Sequence, residues 1–156
     1  MNLNEVLSLG NQLMVKHGLI LMGWKFELDN AVRRFGVCNY RKKVIGISKH
    51  LAKLNDVEQV KDTILHEIAH ALVGRGHGHD HVWKMKCIEI GAKPERCYSD
   101  DTNTPKLRYY AVCGACGVEH EKARLVRKNC KRACNCQKHL PWDKKVLLTY
   151  KDRNAA

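Results

Sequence analysis

The sequence predicts an α+β fold: a mixed domain over residues 1–104, then a small basic β module over 105–156 held together by metal. Three observations carry this. Helical periodicity over residues 3–17 gives way to short alternating runs between Trp24 and Ser48, then returns after Asn55. Two histidines stand four apart inside that second helical stretch. Five of the eight cysteines crowd between Cys113 and Cys136. With 156 residues, 44% of them apolar, the chain has room for one compact domain or a small domain with an appended module.

Taken in order, Leu3, Val6, Leu7, Leu13 and Met14 recur near helical spacing and predict an amphipathic helix over 3–17. Trp24-Lys25-Phe26-Glu27-Leu28 alternates and stops at Asp29-Asn30, a turn signal. Two further strands, 33–40 and 43–48, flank Arg41-Lys42, and a three-stranded antiparallel meander is the economical arrangement. Asn55, with Glu58 three positions on, predicts a capped helix start. That helix carries Val57, Val60, Ile64, Leu65, Ile68 and Leu72 towards the core and stops at Gly74 or Gly76. The glycine- and histidine-rich stretch 74–80 predicts a loop, and 82–90 a further helix closed by Gly91. Residues 99–105, rich in Asp, Thr and Asn, predict a linker. Beyond them metal can stand in for a core, with a last strand over 146–150.

Charge is distributed unevenly. The chain carries +12, but residues 105–156 hold 13 basic and 4 acidic side chains, so +9 of it sits in the last third. Such a module suits a polyanion, nucleic acid first, with membrane surface or solubility as competitors. The N-terminus lacks the basic start and apolar run of a secretory signal, and the apolar run Leu19 to Met22 is too short to span a bilayer. The expectation is a chain that is not secreted, cytoplasmic or associated with nucleoid or nucleus, and without a membrane partner. Clustered cysteines without a signal point to metal rather than disulfides. The scattered Cys38, Cys87 and Cys97 read as ordinary buried thiols.

His66-Glu67-Ile68-Ala69-His70 carries the chemistry. Histidines four apart project from one helix face and can share a zinc ion. Glu67 then reaches a water held by the metal, whose pKa zinc lowers to about 7. It serves as general base and later protonates the leaving amine. The pattern also arises by accident, so its context matters. Here it sits mid-helix among Ile64, Leu65, Ile68, Ala69 and Leu72, where two buried histidines and a buried glutamate without metal would be costly. A third ligand is needed. The metzincin position, six residues after His70, is Gly76, and Val73 stands where its glycine belongs. Glu89 shares a stripe with Lys86 and Lys93 and reads as solvated, leaving His77, His79 and His81.

The run Gly78-His79-Asp80-His81-Val82-Trp83 after His66-Glu67-Ile68-Ala69-His70 resembles the SprT/Spartan metallopeptidases, whose glycine-flanked third histidine stands four residues before a tryptophan or phenylalanine. Trp24, Arg34, Gly36, Cys38 and Ile45 to Ser48 resemble the family's strand region, and Gly91 its helix end. The resemblance implies a zincin-like catalytic domain with a zinc ribbon, and His79 as third ligand. It also implies action on proteins bound or crosslinked to DNA.

Cys113-Gly-Ala-Cys116-Gly is one half of a zinc knuckle, with glycines for the tight turn. Cys130, Cys134 and Cys136 compete for the other half, with His120 and His139 as weaker candidates. The resemblance favours Cys134 and Cys136, since the family's last pair usually precedes a final strand, and leaves Cys130 as the alternative. Four sulfurs would close the site and make it structural. Between the half-sites, Lys122, Arg124, Arg127, Lys128, Lys131 and Arg132 would form a cationic hairpin for phosphates. Tyr109, Tyr110 and Trp142 either stack on bases or simply pack.

These readings converge on a zinc-dependent endopeptidase with two zinc ions per monomer, Glu67 as its base and DNA as its partner. Two rivals differ in class: a non-catalytic DNA-binding zinc protein whose helix site is closed by His81 or Asp80, and a hydrolase acting on another bond.

Overall fold

The computed structural model describes residues 1–95, 102–125, 127 and 130–155. The chain divides into two units, Met1–Pro105 and Lys106–Ala156.

In the first unit, helix α1 (Leu3–Lys16) starts at Asn2, whose side chain takes the Asn4 N–H while Glu5 reaches back to the Asn2 N–H. Strands β1 (Lys25–Asp29), β2 (Gly36–Asn39) and β3 (Val44–Ser48) follow. The sheet order is β1-β3-β2, with β1 parallel and β2 antiparallel to β3. This corrects the predicted antiparallel meander. Ile45, Gly46, Ile47 and Ser48 are all buried, so β3 takes the centre, where both of its edges are hydrogen-bonded. The β1–β2 connection must then cross the end of β3, and Ser48 fixes it there. Its hydroxyl donates to Ala31 O at 2.6 Å and its N–H to Phe35 O at 2.7 Å.

Ser48 also caps a helix that the periodicity did not announce, α2 (Lys49–Leu54). The long helix α3 (Val57–Val73) begins at Asp56 rather than at Asn55; the Asp56 side chain accepts the Gln59 N–H. Asn55 is engaged elsewhere. Buried, it exchanges two hydrogen bonds with the Asn103 backbone and donates to Leu51 O. Gly74 ends α3, and α4 (His81–Ile90) runs from its Asp80 cap to a left-handed Gly91.

The core of this unit gathers Val6, Met14, Leu19, Phe35, Ile45, Ile47, Ile64, Ile68 and Trp83, each at most 1% exposed. Helix α1 approaches the sheet so closely at Gly10 that a Cβ there would lie 2.3 Å from the Phe26 ring.

The second unit is a three-stranded antiparallel sheet, order β5-β4-β6, from β4 (Tyr109–Val112), β5 (Glu119–Lys122) and β6 (Lys151–Asp152). The predicted strand over 146–150 does not form. Only Leu147 pairs, in a single bridge with Ala133, because Val146 is bound instead by the buried Gln137 side chain. Cys97 and residues 99–101 of the predicted linker lie outside the described residues. No helix among those described is long and apolar enough to cross a membrane.

Candidate metal centre

Helix α3 turns its apolar stripe inward, which places His66 and His70 one turn apart at the edge of the core with Glu67 between them, 9% exposed. His79 arrives from the loop after α3. Gly74 and Gly76, with φ of 84° and 98°, take backbone conformations that side chains resist and let that loop fold back. Asp80 closes it, one carboxylate oxygen accepting the Trp83 N–H at 3.0 Å and the other facing His77 Nδ1 at 2.9 Å. Trp83, fully buried, lies beneath all three imidazoles at ring-centroid distances of 4.7, 5.2 and 4.6 Å from His66, His70 and His79.

The imidazole nitrogens converge. His79 Nε2 is 3.2 Å from His66 Nε2 and 3.3 Å from His70 Nε2. A tetrahedron with zinc–nitrogen bonds of about 2.0 Å has edges of about 3.3 Å, so this donor set fits that ion. Burial, reinforced by the neighbouring rings, pushes His66 and His70 down to about 4. Both are therefore neutral, as ligands must be, at physiological pH. His77 and His81 stay outside the group, the first turned to Asp80 and the second exposed at the start of α4. Glu89 is solvated beside Lys86, 2.5 Å away.

Glu67 leans against β2. A Cβ on Gly36 would sit 2.6 Å from its Oε1, so only glycine leaves room for the carboxylate. Burial pushes the Glu67 carboxyl up to about 7, against the pull of the Arg34 guanidinium and the Cys38 backbone N–H. Arg34 itself is held by Asp29 at 2.7 Å. The Cys38 thiol, pushed up to about 12 by burial and then by Glu67, is an inert neighbour. An open cleft of 1530 Å³ is lined by Arg34, Gly36, His66, Glu67, His70 and His79 among others.

A family model described as the SprT-like family matches residues 4–104. The chain belongs to the SprT-like family. A search of curated proteins finds no match. Among solved structures, the metallopeptidase zymogen jannalysin of Methanocaldococcus jannaschii is similar at 14% identity and a TM-score of 0.46, over 62% of this chain and 85% of that one.

In this SprT-like unit, one contributor to the site had no sequence signal. Tyr40 Oη lies 2.9 Å from His70 O and 3.1 Å from Gly74 O, tying the end of α3 to the sheet. Its own periodicity marks it only as a strand end.

The second unit has its own donor group. Cys113, Cys116, Cys134 and Cys136 place their sulfurs within 4.8 Å of one another. The pairs Cys113–Cys136 and Cys116–Cys134 are each 3.7 Å apart. Zinc–sulfur bonds of about 2.3 Å imply tetrahedral edges of about 3.8 Å, a fit again. A tight turn with Gly117 at φ 72° carries the first pair. A short 3₁₀ turn, Asn135–Gln137, brings Cys136 back beside Cys134. Backbone N–H groups, Ala115's foremost, pull the Cys113 thiol down to about 7, towards the thiolate that binds metal. Gln137, unremarked in the sequence, holds this half by the Val146 backbone and lies 3.7 Å from Cys113 Sγ. Cys130 is exposed and apart, and neither His120 nor His139 joins.

Of the cationic candidates, Arg124, Arg127, Lys131 and Arg132 are exposed and Lys122 is half-buried on β5, its Nζ 5.9 Å from the Tyr150 ring. Lys128 lies outside the described residues. Tyr110 packs under Arg153 at 4.3 Å and Tyr109 against Arg108 at 5.3 Å, while Trp142, 59% exposed, carries Lys145 Nζ over its ring at 4.8 Å.

Proposed function

We propose that this chain is a zinc-dependent endopeptidase that cleaves proteins bound or crosslinked to DNA. One observation carries the reading: three convergent imidazole nitrogens stand beside a buried carboxylate in an open cleft. His66, His70 and His79 would hold the catalytic ion. When bound, zinc supplies a Lewis acid for the scissile carbonyl and lowers the pKa of water to about 7. Glu67 accepts the proton of the attacking water on its carboxylate and delivers it to the leaving nitrogen. Burial favours the first task, because it raises the carboxyl above its ordinary value and so makes the carboxylate a stronger base. Gly36 and the Cys38 N–H hold the carboxylate in place.

Cys113, Cys116, Cys134 and Cys136 would hold a second, structural zinc, with no vacant position. The cations Arg124, Arg127, Lys131 and Arg132, with Lys122 and Lys128, would grip phosphates, and the exposed Trp142 would stack on a base. A purely structural helix site would need a fourth protein donor. Among the described residues that group has three members.

Degradation of casein or histone, with and without DNA, tests the reading. Wild type should cleave and respond to DNA. Glu67→Gln should keep its metal and lose about 10²-fold or more in rate. Turnover retained by that variant removes Glu67 as base. Elemental analysis should find two zinc ions per chain, and DNA affinity should fall steeply with added salt.

A further inference from the structure

The segment between α1 and β1 has no part in the site, yet its exposure is hard to explain as packing. Residues 17–23 form a compact turn. Leu19, fully buried, anchors it, and its backbone is hydrogen-bonded from Leu19 N to Met14 O and from Trp24 N to Leu19 O. Gly18 and Gly23, at φ 71° and 81°, bracket it. This ordered turn holds Ile20, Leu21 and Met22 outward at 39%, 94% and 52% exposure, with Val15 at 65% beside them. Cations surround the tip. Lys43 Nζ donates to Met22 O at 3.0 Å, Lys25 N bonds Lys43 O, Arg41 and Lys42 precede Lys43 in an exposed turn, and Lys16 ends α1. Glu27 lines the adjoining groove, and Glu89 acts on His17 at the base of the turn.

We infer that this cation-rimmed aliphatic turn is a contact site for an anionic lipid surface, with Ile20, Leu21 and Met22 entering the interface and the lysines meeting the headgroups. The chemistry selects that occupant. An aliphatic tip gains most in hydrocarbon, while nucleic-acid bases ask for aromatic rings to stack on, and the tip has none. A second copy of this chain would set the same lysines against each other. A peptide would take the neighbouring groove, lined by Asn11, Ile20, Trp24, Lys25 and Phe26, but Leu21 and Met22 lie outside its lining. The expectation that no membrane is involved rests on the run being too short to span. Lying in an interface needs no span.

Co-sedimentation of the full chain with vesicles tests the inference, using phosphatidylcholine alone and phosphatidylcholine with about one third phosphatidylserine. Wild type should partition onto the anionic vesicles. The triple variant Ile20→Ser/Leu21→Ser/Met22→Ser retains every charge and should lose more than about tenfold in partitioning. Leu21→Trp should show a blue-shifted emission component on anionic vesicles only. Equal partitioning of wild type and triple variant would overturn the inference, since charge alone would then suffice. So would loss of duplex or single-stranded DNA affinity in the triple variant with vesicle binding unchanged, or a wild-type dimer that the triple variant dissolves.

Discussion

The two units bring metal-type donors together in opposite ways. The first builds a core and hangs three imidazoles on its edge, with Trp83 as a fully buried floor beneath the rings. The second has almost no core. Among its described residues, those buried are Ala111, Gln137 and two of the cysteines themselves, Cys113 and Cys134. In the first unit the fold positions the ligands, and in the second the ligands hold the fold. A catalytic ion needs a vacant corner, which a scaffold independent of the ion can keep open. A structural ion spends every position on the protein.

Removing the metal should split the molecule along that line. A structural zinc of this donor type contributes about 10–16 kcal/mol to folding, far more than a small unit can replace. In chelator, residues 106–155 should lose dispersed amide signals and become protease-sensitive, while the 1–95 core keeps its spectrum. Cys116→Ser should do the same without chelator. If both units unfold together, the first also depends on its ion and the contrast fails.

Much of this was legible in the sequence, and the reasons differ by element. The α3 stripe, the 66–70 spacing and the Gly91 stop are local patterns, and local patterns are what a single sequence records. The order of the sheet is not local. Nothing in Lys25 to Leu28 says that β1 joins β3 rather than β2; that follows from Ser48 and Phe35 meeting across the loop. Helix α2 is six residues long, too short for a period to show. Tyr40 and Gln137 act by bonding backbone groups, 30 residues on at His70 and nine on at Val146, and a side chain bound to backbone leaves no residue pattern to read. Gly36 stood out only through resemblance, and its physical reason appears only when Glu67 is set against it.

That glycine sharpens the contrast next. Gly36→Ala puts a methyl where Glu67 Oε1 now lies, with backbone φ that alanine tolerates. The carboxylate must move, and a displacement of about 1 Å costs about 10²-fold in a positioned reaction. Peptidase rate should therefore fall while bound zinc stays at the wild-type amount. Gly10→Ala is the companion for stability. Its Cβ would press on the Phe26 ring, which is rigid, so overpacking should cost about 1–3 kcal/mol. Calorimetry should register that loss in the transition of the first unit alone. A shift in both transitions would mean that the units unfold as one.

The mildest effect concerns protons. As the proposed base, Glu67 would act only when ionised, and burial raises its carboxyl from the usual 4.5 to about 7. A raised carboxyl keeps its proton to higher pH, so the active form grows as pH climbs through that value and is lost as pH falls. A cation held by the three imidazoles draws the carboxyl back towards its ordinary value. The acid limb of the rate should thus fall between about 4.5 and 7, with a single-proton slope. Weakening the counter-pull of Arg34 with Arg34→Gln should move the limb upward, because the guanidinium is what favours the carboxylate. A limb that stays in place would assign the titration to a group other than Glu67, and with it the task of carrying the proton.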